Sequence, residues 1–347
     1  MTLITIIISM TIKHLVISGG GPTMFQSLGA IQYLEQHKYI DLNNIETIYG
    51  TSAGAIIGVF ISLKYDWTTI NDYVIKRPWH KIFSIKAQNI FDAYTKKGLF
   101  DNTTIEKCLK PLFDAKDISM EITMKDFFEY CGIEIHMFTF EINNFESIDI
   151  SYKTHPDLQL IKALHMSCSL PVIMSPVFLE NKCYIDGGIN CNYPLNKCIE
   201  ANKNVDEIVG FNNDYNPDEN SINEKTSETS INENTINENS INEKTSETTI
   251  NENSINEKTS ENIINENSTI LDFILGLFFK IIRSMQTDTK QTKIKNEIVY
   301  KADLISVNIL KNTLYSSETR QKLLQIGIDS AKKYLDKIEK SKENKEK

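Results

Sequence analysis

The chain has no CxxC pair, no excess of positive charge, no histidine beyond residue 165 and no apolar run long enough to cross a bilayer. Each absence removes a class of function. The six cysteines, Cys108, Cys131, Cys168, Cys183, Cys191 and Cys198, are too widely spaced for a zinc knuckle and read as reduced thiols, so no metal is expected. The formal net charge of −9 argues against charge-driven binding of nucleic acid. That acidity is local. Residues 216–268 carry twelve acidic residues and three lysines, and the remaining 34 basic and 34 acidic residues cancel. The apolar stretch at 3–9 has neither a basic flank nor a small-residue cleavage site. It reads as an extra strand or leader, as a sign that Met10 is the true start, or as a weak signal. The run LDFILGLFFKII at 271–282 is broken by Lys280 and Arg283 and reads as a buried or interfacial helix.

What is present has a clear order. KHLVIS (13–18) is a β-branched run ending in glycines and predicts a buried strand, followed by a helix over 25–38 with Leu28, Ile31 and Leu34 on one face. TIYG (47–50) predicts a second strand and 52–65 an apolar, buried helix. Strand–helix–strand–helix argues a parallel sheet covered by helices. Residues 66–130 look helical. Hairpins are expected at 133–151, turning at Asn143–Asn144, and at 177–188, turning at Asn181–Lys182. A helix over 157–167 and strands at 207–212 and 302–309 follow, and an amphipathic helix around 317–338 closes the fold. Between them, SINEKTSETTINEN (240–253) repeats as SINEKTSENIINEN (254–267), with an expanded copy at 221–239. Such Asn/Glu/Ser/Thr repeats cannot bury enough surface to offset chain entropy and predict a disordered insertion. The expected organisation is an extension at 1–12, a catalytic domain at 13–212, the insertion at 213–268, the rest of the domain at 269–338 and a charged tail at 339–347.

Three short stretches carry chemistry. Gly50-Thr51-Ser52-Ala53-Gly54 fits G-x-S-x-G between a strand and a helix, where a nucleophilic serine sits on a tight turn at the positive end of the helix dipole. The competing reading is a serine-capped helix start. Gly19-Gly20-Gly21 offers backbone N–H donors without side chains, fit for an oxyanion. As a dinucleotide loop it would need glycine where Met24 stands, and Walker A is absent. A hydrolase with the order serine, acid, histidine would need both partners between 53 and 165, because no histidine follows His165. A dyad needs no histidine: Asp186 in YIDGG ends a strand and is followed by Gly187 and Gly188, which permit a sharp exit.

Together these residues resemble the patatin-like phospholipase family. The resemblance rests on Gly19-Gly20-Gly21, on Gly50 to Gly54, on Asp186-Gly187-Gly188, on MSCSLPVIMSPV (166–177) ahead of the aspartate and on GGINCNYPL after it. It covers roughly 13–212 and weakly 300–335. It implies an α/β fold, a mainly parallel sheet with helices on both faces, interrupted here by the repeat. It also implies a Ser52–Asp186 dyad without metal or cofactor, and an acyl-lipid substrate such as a phospholipid, met at a membrane surface. The implied activity is hydrolysis of acyl esters, of phospholipase A or lysophospholipase type. An acyltransferase, or a weak or inactive lipid-binding protein, would use the same residues. The compartment expected is cytoplasmic, with peripheral membrane association. One departure stands out: where the family's glycine block continues with a basic residue and a glycine, this chain has Thr23 and Met24.

Overall fold

The computed structural model describes residues 11–85, 87–201, 203–215, 270–287, 292–303 and 305–344. The expected N-terminal strand or leader and the repeat insertion lie outside them. Ten strands are described: β1 (His14–Ile17), β2 (Thr47–Thr51), β3 (Gly98–Phe100), β4 (Glu134–Glu141), β5 (Glu146–Ile150), β6 (Val172–Met174), β7 (Val177–Leu179), β8 (Lys182–Asp186), β9 (Ile208–Asp214) and β10 (Glu297–Lys301). The helices are α1 (Met24–Gln36), α2 (Ala53–Ser62), α3 (Trp67–Lys76), α4 (Trp79–Ile82), α5 (Ala87–Lys96), α6 (Asn102–Asp114), α7 (Met124–Cys131), α8 (Leu160–Ser167), α9 (Leu195–Glu200), α10 (Ile270–Thr287), α11 (Val307–Tyr315) and α12 (Ser317–Glu343).

The main sheet has the order β10-β9-β1-β2-β4-β8-β7, with β5 also paired to β4. The first five strands run parallel, whereas β8, β7 and β5 join antiparallel. Both faces of β1, β2 and β4 are buried, which is why the first two read as continuous apolar runs. Alternation divides them: Leu15, Ile17 and Ile48 enter one core, and Val16 and Tyr49 enter the other. Helices α1, α2 and α8 cover the first face and α9 covers the second. The strand after the repeat, β10, pairs with β9, so residues on both sides of the repeat complete one sheet.

Several expectations shift. The strand expected at 302–309 is instead β10 at 297–301. Its signal is the alternation of an edge strand, with Ile298 and Tyr300 buried and Val299 exposed, rather than an apolar run. Residues 307–309 begin α11, because the Ser306 side chain accepts from the Ile309 N–H and starts a helix. The second hairpin turns one residue earlier than expected, at Glu180 and Asn181, which both have positive φ, as a two-residue loop of this hand requires. A small parallel pair, β3 with β6, was not anticipated from strands only three residues long. The last helix runs to Glu343, into the expected tail. Among the described residues no helix is long and apolar enough to cross a membrane.

Candidate active site

The register of one strand brings Ser52 and Asp186 together. Along β4, Thr51 of β2 lies opposite Phe138, and Asp186 of β8 lies opposite Thr139. Because β5 occupies the other edge of β4 at these positions, β2 and β8 share an edge and meet end to end. Ser52 follows the last residue of β2 and Asp186 is the last residue of β8. The side chain of Thr139 donates toward the carbonyls of Met166 and Ile185 (2.9 and 2.8 Å), fixing this junction from beneath.

Ser52 is held in a backbone conformation that a side chain rarely adopts, with φ 53° and ψ −118°. Such strain costs on the order of 1–3 kcal/mol and persists only when the surroundings enforce it. The enforcing contacts are specific. The Ser52 N–H donates to Ser167 Oγ at 2.9 Å, and that hydroxyl donates to the Phe138 carbonyl at 2.7 Å. The Thr51 hydroxyl donates to the Cys191 carbonyl at 2.6 Å. The Ala55 and Ile56 N–H groups close on the Ser52 carbonyl and start α2. A Cβ on Gly50 would lie 2.6 Å from the Gly54 carbonyl carbon, and one on Gly54 would run into the Ile17 carbonyl. The G-x-S-x-G spacing is therefore a steric requirement of this turn.

Asp186 is buried, at 5% exposure. Its N–H donates to the Ser169 carbonyl, and its Oδ1 accepts the Gly188 N–H at 2.8 Å. Burial pushes its carboxyl up to about 6, and the nearby Ser52 hydroxyl and the Gly188 N–H, which favour the charged form, offset part of that rise. Among the described residues no cation forms an ion pair with it. The same burial drives the neighbouring Cys168 thiol well above its usual range.

The three glycines expected as donors are not equivalent. The Gly19 N–H is taken by the Asn192 carbonyl at 3.0 Å, and the Gly19 carbonyl accepts from Asn213 Nδ2 at 2.7 Å and Asn192 Nδ2 at 3.3 Å. Gly19 is thus a fastened residue, and the expectation of three donors narrows to Gly20 and Gly21, which have φ of 154° and 54°. These two line one cavity of about 520 Å³ together with Ser52, Asp186 and Gly188. The rest of its wall is largely apolar, with Phe25, Phe60, Leu109 and Ile173 among the contributors. Such a space is a mostly apolar cleft with a few convergent polar groups, the usual character of a small-molecule site.

Residues 15–199 match the family model described as Patatin-like phospholipase. The chain belongs to that family. It is 31% identical over 190 residues to "Probable lipid hydrolase 463L" of Invertebrate iridescent virus 6, covering 54% of this chain and 63% of that one. It is 30% identical over 186 residues to "Uncharacterized protein R571" of Acanthamoeba polyphaga mimivirus, covering 53% and 60%. It is 27% identical over 197 residues to "Uncharacterized protein YqhO" of Bacillus subtilis (strain 168), covering 52% and 64%. The chain thus spans about three-fifths of the length of these curated relatives. The solved structure of VipD from Legionella pneumophila is similar with a TM-score of 0.49 at 14% identity, covering 94% of this chain and 67% of that one.

In this patatin-like chain the departure at 23 and 24 has a structural content. Thr23 is buried, and its Oγ1 accepts from Asn213 Nδ2 at 3.1 Å, the same amide that holds the Gly19 carbonyl. The threonine therefore fastens the glycine loop where the family pattern has a charge. Met24 lines the cavity. Two cations also line it. The Arg320 guanidinium is buried and donates to the carbonyls of Ile75, Arg77, Thr313 and Leu314, whereas Lys311 is exposed. Asn192, Asn213, Tyr215 and Ser167 were not singled out from the sequence. Ser167 and Asn192 lie inside the two stretches quoted for the family, but asparagines in a polar run such as FNNDY carry no signal of their own.

Proposed function

We propose that the chain is a lipid acyl hydrolase in which Ser52 is the nucleophile and Asp186 its base. The observation that carries this reading is a buried carboxylate, without a cation partner among the described residues, that shares a cavity wall with a serine on a strained strand-to-helix turn. The Ser52 oxygen attacks the ester carbonyl carbon as its proton passes to Asp186. A carboxyl poised near 6 accepts that proton far more readily than one at the usual aspartate value, and it is still ionised at neutral pH.

The carbonyl oxygen, now negative, is met by the Gly20 and Gly21 N–H groups and by the positive end of α2. Collapse of the tetrahedral intermediate breaks the ester bond. The leaving alcohol takes the proton from Asp186, and the acyl group stays on Ser52. Water then attacks the acyl-enzyme as its proton passes to Asp186. Collapse of the second intermediate breaks the acyl–Ser52 bond, Asp186 returning the proton to the Ser52 oxygen as the fatty acid departs. The apolar cavity gives the acyl chain its place during both steps. The register and the hydrogen bonds that hold the Ser52 backbone favour an active site over a decayed one.

The test is release of fatty acid from phosphatidylcholine vesicles by wild type, Ser52→Ala and Asp186→Asn. Both variants are expected to fall to background. Release at the wild-type rate by either one contradicts the assignment. Adding a soluble acceptor alcohol and looking for the transferred ester separates hydrolysis from acyl transfer.

A further inference from the structure

Helix α10 (Ile270–Thr287) presents apolar residues on two adjacent faces. Leu271 and Phe278 line the cavity that holds Ser52, and Leu275 between them is fully buried. The helix packs on the Gly187–Ile189 turn that immediately follows Asp186. Its other face carries Ile270, Phe273, Ile274 and Leu277, spaced i, i+3, i+4 and i+7, with exposures from 37% to 74%. Lys280, one step further along that stripe, is exposed. A scattered exposed leucine needs no explanation, but a continuous apolar stripe on one helix does.

The cavity mouth has the same character. Ile85 and Tyr315 both line the cavity and stand 54% and 64% exposed, so they sit at its rim. Lys311 also lines it and is exposed. Apolar rim residues and Lys311 therefore border the cavity, and the helix whose inner face lines it carries the apolar stripe and Lys280 on its outer face.

We propose that the outer face of α10, with Ile85 and Tyr315, docks on a lipid surface, so that an acyl chain passes from the bilayer into the cavity. The proposal builds on the hydrolase reading. A lipid surface fits this face for two reasons. One helix carries both the exposed apolar stripe and, through Leu271 and Phe278, part of the apolar wall of the cavity that holds Ser52. Lys280 follows the stripe on α10 and Lys311 borders the cavity on α11, exposed cations whose long stems can reach lipid headgroups beside an apolar face. A second copy of the chain seated here would instead cover the entrance.

The experiment uses the full chain carrying Ser52→Ala, so that vesicles stay intact, floated with vesicles of phosphatidylcholine and phosphatidylglycerol. This protein is expected to float with the vesicles. Adding Phe273→Asp and Leu277→Asp should weaken partitioning at least tenfold with an unchanged circular dichroism spectrum. In a separate Phe273→Trp variant, tryptophan emission should shift to the blue on adding vesicles. Absence of flotation, or equal flotation with and without the two aspartates, overturns the proposal. So does a dimer in solution that the aspartates dissociate while flotation is unaffected. Cleavage of a soluble short-chain ester by the Phe273→Asp/Leu277→Asp protein with Ser52 intact reports on the active site alone. Failure of that cleavage in wild type defeats the hydrolase reading without touching the flotation result.

Discussion

Two buried carboxylates in the same sheet behave in opposite ways. Glu134 begins β4 and Asp186 ends β8, and both side chains are nearly withdrawn from water. Burial alone would raise both. At Glu134 the ion pair with His136 Nε2 (3.3 Å) and the charged hydrogen bond from Lys153 Nζ (2.8 Å) overcome it and hold the carboxyl down at about 2. His136 is itself gripped by Asp149 at 2.8 Å and stacked on the Tyr49 ring. Although its burial disfavours the charge, the bonds to Asp149 and Glu134 raise its pKa. Asp186 has a hydroxyl and one N–H in place of cations, and it stays up at about 6. The difference lies in the partners and not in the depth. A buried carboxylate supplied with cations, or with several N–H donors as Glu141 is, stays ionised, whereas Asp186 with few donors is raised toward neutral pH.

The largest way to break this comparison is to neutralise each carboxylate in turn. Asp186→Asn should reduce ester hydrolysis by about 10⁴-fold or more, as expected when base and nucleophile act as a unit. The same change should make the protein more stable at pH 7.5. The sign follows from the raised pKa. The favourable contribution of Asp186 is complete below its unfolded value and is lost as pH rises through about 6, so the ionised group costs stability at neutral pH. A shift of this size corresponds to roughly 2–3 kcal/mol, or several degrees in Tm. Glu134→Gln should do the reverse, losing about 2 kcal/mol because Lys153 loses its carboxylate partner and the buried His136 keeps only Asp149. Its kcat/KM should stay within about twofold of wild type. Thermal melts and hydrolysis assays on the two variants check both halves.

A smaller effect separates the two by pH. The paired Glu134 has a depressed pKa, so its contribution is present above its unfolded value and fades as pH falls from about 4.5 toward 2. Urea unfolding across that range should show a steeper acid loss in wild type than in Glu134→Gln. The smallest expected effect is at the loop. Thr23→Val removes the hydroxyl that accepts from Asn213, and it should cost about 1 kcal/mol and lower kcat a few-fold. A Thr23→Ser variant should restore most of both.

Much of this arrangement was legible in the sequence, and the limits have physical causes. The β1–α1–β2–α2 unit could be read because its strands are buried on both faces and its helices follow at once. Ser52 and Asp186 could be singled out because glycines mark the turns on which they sit. What could not be read depends on register and long-range contact. That the Gly19 N–H is consumed by Asn192 follows from a meeting of residues 173 positions apart. β10 was misplaced because an edge strand shows alternation, and the neighbouring ADLISVNI run is the stronger apolar signal. The Glu134–His136–Asp149–Lys153 cluster carries no motif, and only the pairing of β4 with β5 assembles it.

The central claim is that a buried, cation-free Asp186 activates Ser52. A fluorophosphonate probe, whose attachment is located by mass spectrometry and whose labelling rate is followed from pH 4.5 to 8.5, tests it most directly. The account predicts attachment at Ser52, a rate that climbs through about pH 6 and then levels, and loss of labelling in Asp186→Asn. Attachment elsewhere, or a rate at Ser52 that is unchanged by Asp186→Asn, would contradict it.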